Sequence, residues 1–148
     1  MVDRDTDDRR LDELLSELRV VLPGATVLFA FLLTLPFTAR SRELTDVQEA
    51  AYVVSFLTSA MSIVLLVAEV AYHRLRGRPY DKALMVRTVT RQAVAAVGLL
   101  GVSLLAAVYL VLDVIYSGVV AAPVTAAVGA LAAVTWVGVP LSRRQDGR

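Results

Sequence analysis

The sequence contains no cysteine, which excludes disulfides, thiolate metal sites and thiol nucleophiles. It has a single histidine, which alone cannot build a metal site. No phosphate-binding loop, nucleophile elbow or paired-carboxylate motif is present, although each has a recognisable sequence pattern. We therefore expect no enzymatic activity, no metal and no cofactor. The net charge of +1 gives no indication of nucleic-acid binding, and we expect no nucleic-acid partner.

Charge is also scarce in four long stretches, in a chain of which 57% of the residues are hydrophobic and the mean hydropathy is +0.64. These apolar runs lie at about 20–39, 47–72, 88–114 and 118–141, and the charged residues within them are Glu49, Glu69, Arg91 and Asp113. A bilayer core requires about 20 apolar residues per helix, and barrel strands would alternate polar with apolar residues. The sequence therefore predicts an all-α polytopic membrane protein. Its membrane domain, residues 20–141, is a four-transmembrane-helix bundle followed by a basic tail, residues 142–148.

The linkers between these runs carry helix start and stop signals. Thr45 is followed three residues later by Gln48, a capping-box spacing that opens the second span. Gly77 and Pro79 disfavour continuation of that span. The short sequence Tyr-Ser-Gly at 116–118 predicts a tight turn between the third and fourth spans.

Basic residues are distributed unequally over the two sides of such a bundle. Thirteen lie in the N-terminal segment, the loop between the second and third spans, and the tail, whereas only Arg40 and Arg42 lie in the other two loops. Because cytoplasmic loops carry the excess of Lys and Arg, we expect both termini in the cytoplasm and the protein in the cytoplasmic membrane.

Residues 1–19, the leader, differ from the rest of the chain. They carry seven acids and four arginines, and their four leucines fall on one helical face together with Leu22. We expect an amphipathic helix lying on the membrane surface, interrupted by Pro23-Gly24 before the first span. The loop at 73–91 carries six basic residues and one acid. One interpretation docks the acidic leader on this basic loop, and the other leaves its polar face solvated.

The stretch "LDELLSELRVVLPGATVLFAFLLTLPF", with "YHRL" and "LDV" further on, resembles a family of small uncharacterised bacterial four-span membrane proteins. Some members of that family are labelled sodium:proton antiporter. The resemblance extends from about Leu11 to the fourth span. It implies four helices in a cytoplasmic membrane, and it brings no established catalytic residue.

Glu69 is a lone acid in the second apolar run, four residues before His73. An ionisable group inside a span is a functional-site hypothesis by default. Our main interpretation is a structural ion pair with Arg87 or Arg91, which enter the next span at matching depth. A proton or cation site is the alternative. His73 is interpreted as an interfacial residue, with a role as a pH sensor as its alternative.

Asp113 lies near the end of the third run. It is interpreted either as a boundary aspartate that begins to leave the bilayer or bonds the turn at Ser117, or as a cation or proton site. Arg40 and Arg42, in the loop between the first and second spans, are its candidate charge partners. Arg74, Arg76 and Arg78 are interpreted as topology determinants, with contact to anionic lipid headgroups or to the leader as the alternative.

Small residues recur every four positions in the fourth run, from Gly118 through Ala122 and Ala126 to Ala130, and again at Gly129 and Ala133. Such stripes let helices approach closely, either within the bundle or in a homodimer.

Two function classes remain open. We favour an accessory or scaffolding membrane protein with lipid and other membrane proteins as partners. The alternative is a small cation or proton transporter, similar to a sodium:proton antiporter, which would have to work as a homo-oligomer to enclose a pathway.

Overall fold

A computed structural model describes the backbone at residues 20–39, 43–75, 82–116 and 118–138, and the side chains of this part except those at 69–75, 82–89 and 137. The predicted leader helix, the loop arginines Arg76 and Arg78 and the basic tail lie outside the described residues.

Helix α1 is described over Val20–Phe37, and its last turn, Leu35–Phe37, is a 3-10 helix with Pro36 in its first positions. Helix α2 runs over Asp46–Leu75, and α3 over Lys82–Ile115. Helix α4 covers Gly118–Ala133 and continues as a π-helical segment, Val134–Gly138.

Within the described part, all regular structure is helical and four helices are long and apolar enough to cross a membrane. Their candidate spans are Val20–Phe37, Asp46–Ala68, Thr90–Ile115 and Gly118–Trp136. The predicted all-α, four-span membrane fold is therefore confirmed. Because α2 and α3 are longer than their candidate spans, both helices extend past the apolar region at the end where they are joined.

Contacts between neighbours show that consecutive helices are antiparallel. The Tyr52 hydroxyl of α2 donates to the carbonyl oxygen of Leu32 in α1 at 3.2 Å, while Ala25 and Leu66 pack together at the other end of the same pair. Both α2 and α4 pack against α3. We call the end where α2 begins and α3 ends the Asp113 end, and the other the Ala25 end.

The expected interruption at Pro23-Gly24 is wrong, because α1 passes through both residues as continuous helix. Proline and glycine are tolerated in membrane helices when neighbouring helices support the affected turn. Here Ala25, directly after the pair, is fully buried and packs with Leu66 and Ala96. That tertiary contact stabilises the turn which local propensity alone would have broken.

In the small-residue stripe of α4, Ala122, Ala126 and Ala130 are exposed, whereas Gly118 is half-buried beside Asp113 of α3. Helix α4 buries Ala121 completely and places Gly129 against Leu105 of α3. The part of α4 that packs on α3 therefore includes Gly129 of the second series, while the three alanines of the first series face away from α3.

Trp136, the only tryptophan, lies against Gly101 of α3. A side chain at Gly101 would come within 2.8 Å of the indole ring. This contact requires glycine, and it fixes the end of α4 on α3.

Candidate functional site: the Asp113 junction and the serine seam

The Asp113 junction consists of Thr45, Gln48 and Asp113 and joins the start of α2 to the last turn of α3. The Nε2 atom of Gln48 donates a hydrogen bond to Oδ2 of Asp113 at 2.8 Å. Both side chains are half-buried. A carboxylate in an apolar helix is costly unless a donor compensates it, and here the donor comes from the neighbouring helix.

The predicted capping box is confirmed on the other side of the same glutamine. The backbone N–H of Thr45 donates to Oε1 of Gln48 at 3.1 Å, and the N–H of Gln48 donates to Oγ1 of Thr45 at 3.4 Å. These bonds satisfy amide groups that have no partner inside the helix. The side-chain amide of Gln48 therefore makes both bonds together: its oxygen accepts in the cap of α2, and its nitrogen donates to Asp113.

The second carboxylate oxygen of Asp113 faces the start of α4. Oδ1 lies 3.1 Å from where a β-carbon on Gly118 would be, and the Tyr109 hydroxyl lies 3.8 Å from the same point. A larger residue at 118 would push against the carboxylate. Glycine therefore lets α4 begin directly beside Asp113, so that α2, α3 and α4 meet at one group. The described hydrogen-bond partner of the Asp113 side chain is Gln48, a residue that neither sequence interpretation named, and both interpretations of Asp113 stay predictions.

The serine seam lies deeper in the same interface and consists of Ser55, Ser59 and Ser62 of α2 and Ser103 of α3, all of them 0% exposed. Ser55 donates to the carbonyl oxygen of Ser103 at 2.8 Å, and Ser103 donates to the carbonyl oxygen of Ser55 at 2.7 Å. The two hydroxyl oxygens are 3.2 Å apart. This reciprocal pair ties the backbones of the two helices together.

Two further hydroxyls extend the seam toward the Ala25 end. Ser62 donates to the carbonyl oxygen of Ala96 at 2.7 Å, while Ser59 bonds within its own helix to the carbonyl oxygen of Phe56 at 2.8 Å. Small side chains with hydroxyl groups let membrane helices approach closely and bond across the contact. The seam therefore provides both the close packing and the polar contacts of the α2–α3 pair.

Sequence reasoning missed the seam, although a signal was present. Ser55, Ser59 and Ser62 are spaced by four and three residues, which places them on one helical face. The small residues expected from sequence to allow close helix packing were the glycines and alanines of α4. Ser103 carries no such local pattern, and only the pairing of the helices shows that it faces Ser55.

The other predicted site residues are not brought together by the described part of the structure. Arg91 of α3 is exposed. The side chains of Glu69, His73, Arg74 and Arg87 lie outside the described residues. The ion pair between Glu69 and Arg87 or Arg91 stays a prediction. Over the described residues, no group of three or more His, Cys, Asp or Glu side chains could hold a metal ion.

Comparison with protein-family models matches residues 3–140 to a family of unknown function, DUF6328. Searches of curated proteins and of solved structures gave no match. The family match covers the described helices and most of the remaining chain.

Proposed function

Because the chain belongs to the DUF6328 family, whose function is unknown, we propose its role from its own chemistry. It is an accessory or scaffolding protein of the cytoplasmic membrane, without enzymatic activity and with both termini in the cytoplasm. Its partners are the lipid bilayer, with anionic headgroups near Arg74, Arg76 and Arg78, and other membrane proteins.

The observation that carries this proposal is the use of polar groups within the spans. The serine hydroxyls bond to backbone carbonyls, and Asp113 accepts from the glutamine that caps α2. These bonds hold helices together. Transporters instead place polar groups on ion pathways near the middle of the bilayer, where helices are broken, and α2 and α3 run unbroken past the seam.

The competing function is cation or proton transport by a homo-oligomer. Among the described residues it would depend on Asp113, which lies in the last turn of α3 and is half-buried. The one hydrogen bond from Gln48 leaves the Asp113 carboxylate able to accept others, so that this bond does not exclude binding of a cation or a proton. A direct measurement of transport therefore separates the two functions.

We expect purified protein in liposomes to give no cation flux under a pH gradient beyond that of protein-free liposomes. Asp113→Asn is the test variant, and Glu49→Gln, an exposed carboxylate at the same end of α2, is its matched control. The same protein, extracted gently from its native membrane, should migrate in a discrete complex that contains other membrane proteins. A flux that Asp113→Asn abolishes and Glu49→Gln preserves would replace the accessory role with transport. Migration as a free monomer would also contradict scaffolding.

The proposed orientation rests on the distribution of basic residues, thirteen on one side of the bundle and two on the other, because cytoplasmic loops carry the excess of Lys and Arg. The natural chain has no cysteine, so single cysteines can be labelled without background. In intact cells, an impermeant reagent should label Thr45→Cys and Ser117→Cys, and should reach Gln145→Cys only after permeabilisation. Labelling of Gln145→Cys in intact cells would reverse the orientation.

A further inference from the structure

One face of α3 near the Ala25 end is left uncovered by the described parts of the other helices. Arg91, Ala95, Gly98 and Val102 are spaced by four, three and four residues, which places them on one helical face, and all four are exposed. A different face carries Ala96, which is fully buried against α1 and α2. We call the uncovered surface of these four residues the Arg91 face.

Gly98 leaves a shallow recess in the Arg91 face, beside the end of α4. A β-carbon on Gly98 would meet no heavy atom within 4 Å beyond the backbone of its own helix. Three residues later, a β-carbon on Gly101 would lie 2.8 Å from the ring of Trp136. Because Trp136 is 49% exposed, lipid can reach its indole. The recess therefore lies about one helical turn from the only tryptophan of the chain.

Arg91 places a positive charge at one end of the same face, at the start of the candidate span Thr90–Ile115. No hydrogen bond or ion pair joins its guanidinium to any residue in the part of the chain that the structure describes. A long cationic side chain near the end of a span extends toward the lipid headgroups. There it meets phosphate, whose oxygens a guanidinium binds with two parallel hydrogen bonds. An anionic headgroup therefore complements Arg91 in charge and in depth.

We propose that the Arg91 face binds one anionic phospholipid, with its phosphate on Arg91 and an acyl chain along the recess at Gly98. From Arg91 to Val102 the helix rises about 17 Å, which is close to half of the roughly 30 Å hydrocarbon core. One acyl chain spans that depth. The site extends the proposed contact with anionic lipid to α3, and it rests neither on the loop arginines nor on the accessory role.

The competing role of Arg91 is the predicted ion pair with Glu69 of α2. Ala96 lies on the face of α3 that packs on α2, and Arg91 precedes it by five residues, about 140° around the helix. The side chain of Arg91 is therefore on another side of α3, which favours lipid as its partner. An ion pair with Glu69 would give Arg91 no effect on which lipid lies beside α3.

The site can be tested with the full-length protein in bilayers, because a brominated acyl chain quenches a tryptophan that it contacts. The bilayers contain equal amounts of phosphatidylglycerol, which is anionic, and phosphatidylcholine, with bromine on one lipid or on the other. Quenching of Trp136 should show about a fivefold preference for phosphatidylglycerol, the size expected for one arginine near an anionic surface. Equal quenching by the two lipids would overturn the proposal.

Arg91→Gln should remove this preference. Arg40→Gln, which neutralises an arginine in the loop between the first and second spans, is the matched control and should keep it. Each variant must retain the helical circular dichroism of the unmodified protein. A preference that survives Arg91→Gln overturns the site, as does one that both variants abolish.

The position of the acyl chain is tested by Gly98→Leu, which has space for its side chain and should fill the recess. Quenching by brominated phosphatidylglycerol should then fall to the level given by brominated phosphatidylcholine. Gly24→Leu in α1, where an added β-carbon also meets nothing within 4 Å, is the matched control and should change nothing. Unchanged quenching in Gly98→Leu would overturn the placement of the chain on this face.

A last variant separates this site from the headgroup contact already proposed for the loop. Replacing Arg74, Arg76 and Arg78 together by glutamine should leave the preference at Trp136 intact. If this triple variant abolishes the preference and Arg91→Gln preserves it, the site on α3 is overturned while the headgroup contact of the loop stands.

Discussion

Replacing Ser103 by leucine should lower the free energy of unfolding by about 2–5 kcal/mol, because a fully buried small residue becomes a large one. Ser103 is 0% exposed and exchanges two hydrogen bonds with Ser55. The substitution removes the hydroxyl that bonds the Ser55 carbonyl and pushes α3 away from α2. Unfolding in a detergent titration, followed by the fluorescence of the single tryptophan, would measure the loss.

The matched control is Thr135→Leu, which also replaces a hydroxyl by leucine. Thr135 is exposed, and its hydroxyl bonds only to carbonyls of its own helix, so a change within about 0.5 kcal/mol is expected. Ser103→Ala should lie between the two, at about 1 kcal/mol. If Ser103→Leu were as stable as Thr135→Leu, the seam would not be a tight contact between α2 and α3.

Replacing Gln48 by leucine should cost about 1–3 kcal/mol, because one side chain serves both the cap of α2 and Asp113. The substitution leaves the Thr45 N–H without its acceptor and the Asp113 carboxylate without its described donor. Thr45→Ala, which removes only the hydroxyl of the capping box, should cost about 1 kcal/mol. The same detergent titration measures both.

A double-mutant cycle separates the two contributions of Gln48. Combining Gln48→Leu with Asp113→Leu should recover about 1 kcal/mol relative to the sum of the single losses, since no carboxylate is then left without a donor. Glu49→Gln in the same turn is the control and should show no coupling to Asp113→Leu. Additive losses in the first cycle would mean that the hydrogen bond between Gln48 and Asp113 contributes nothing to stability.

The candidate site shows how far local patterns reach. Thr45 and Gln48 are three residues apart, so their reciprocal bonds could be predicted from sequence. Gln48 and Asp113 are separated by 65 residues, and no local pattern relates them. Asp113 stands out in the sequence as an acid within an apolar run, but its hydrogen bond with Gln48 could not be predicted from the sequence.

The sequence by itself determined that the chain is helical, that four helices are long enough to cross a membrane and that α2 begins with a capping box. Each of these depends on the length, polarity or spacing of residues that are neighbours in the chain. Membership of an uncharacterised family was likewise expected from sequence and is confirmed by the match over residues 3–140.

Only the tertiary structure decided which faces of the helices meet. When a span is apolar on every side, its sequence does not indicate which side faces a neighbouring helix and which faces lipid, because both surroundings are equally apolar. The structure turns Ser55 and Ser103 toward each other, leaves Ala122 and Ala126 exposed, and carries α1 through Pro23. These outcomes depend on close packing and on hydrogen bonds between distant residues, which no single helix determines.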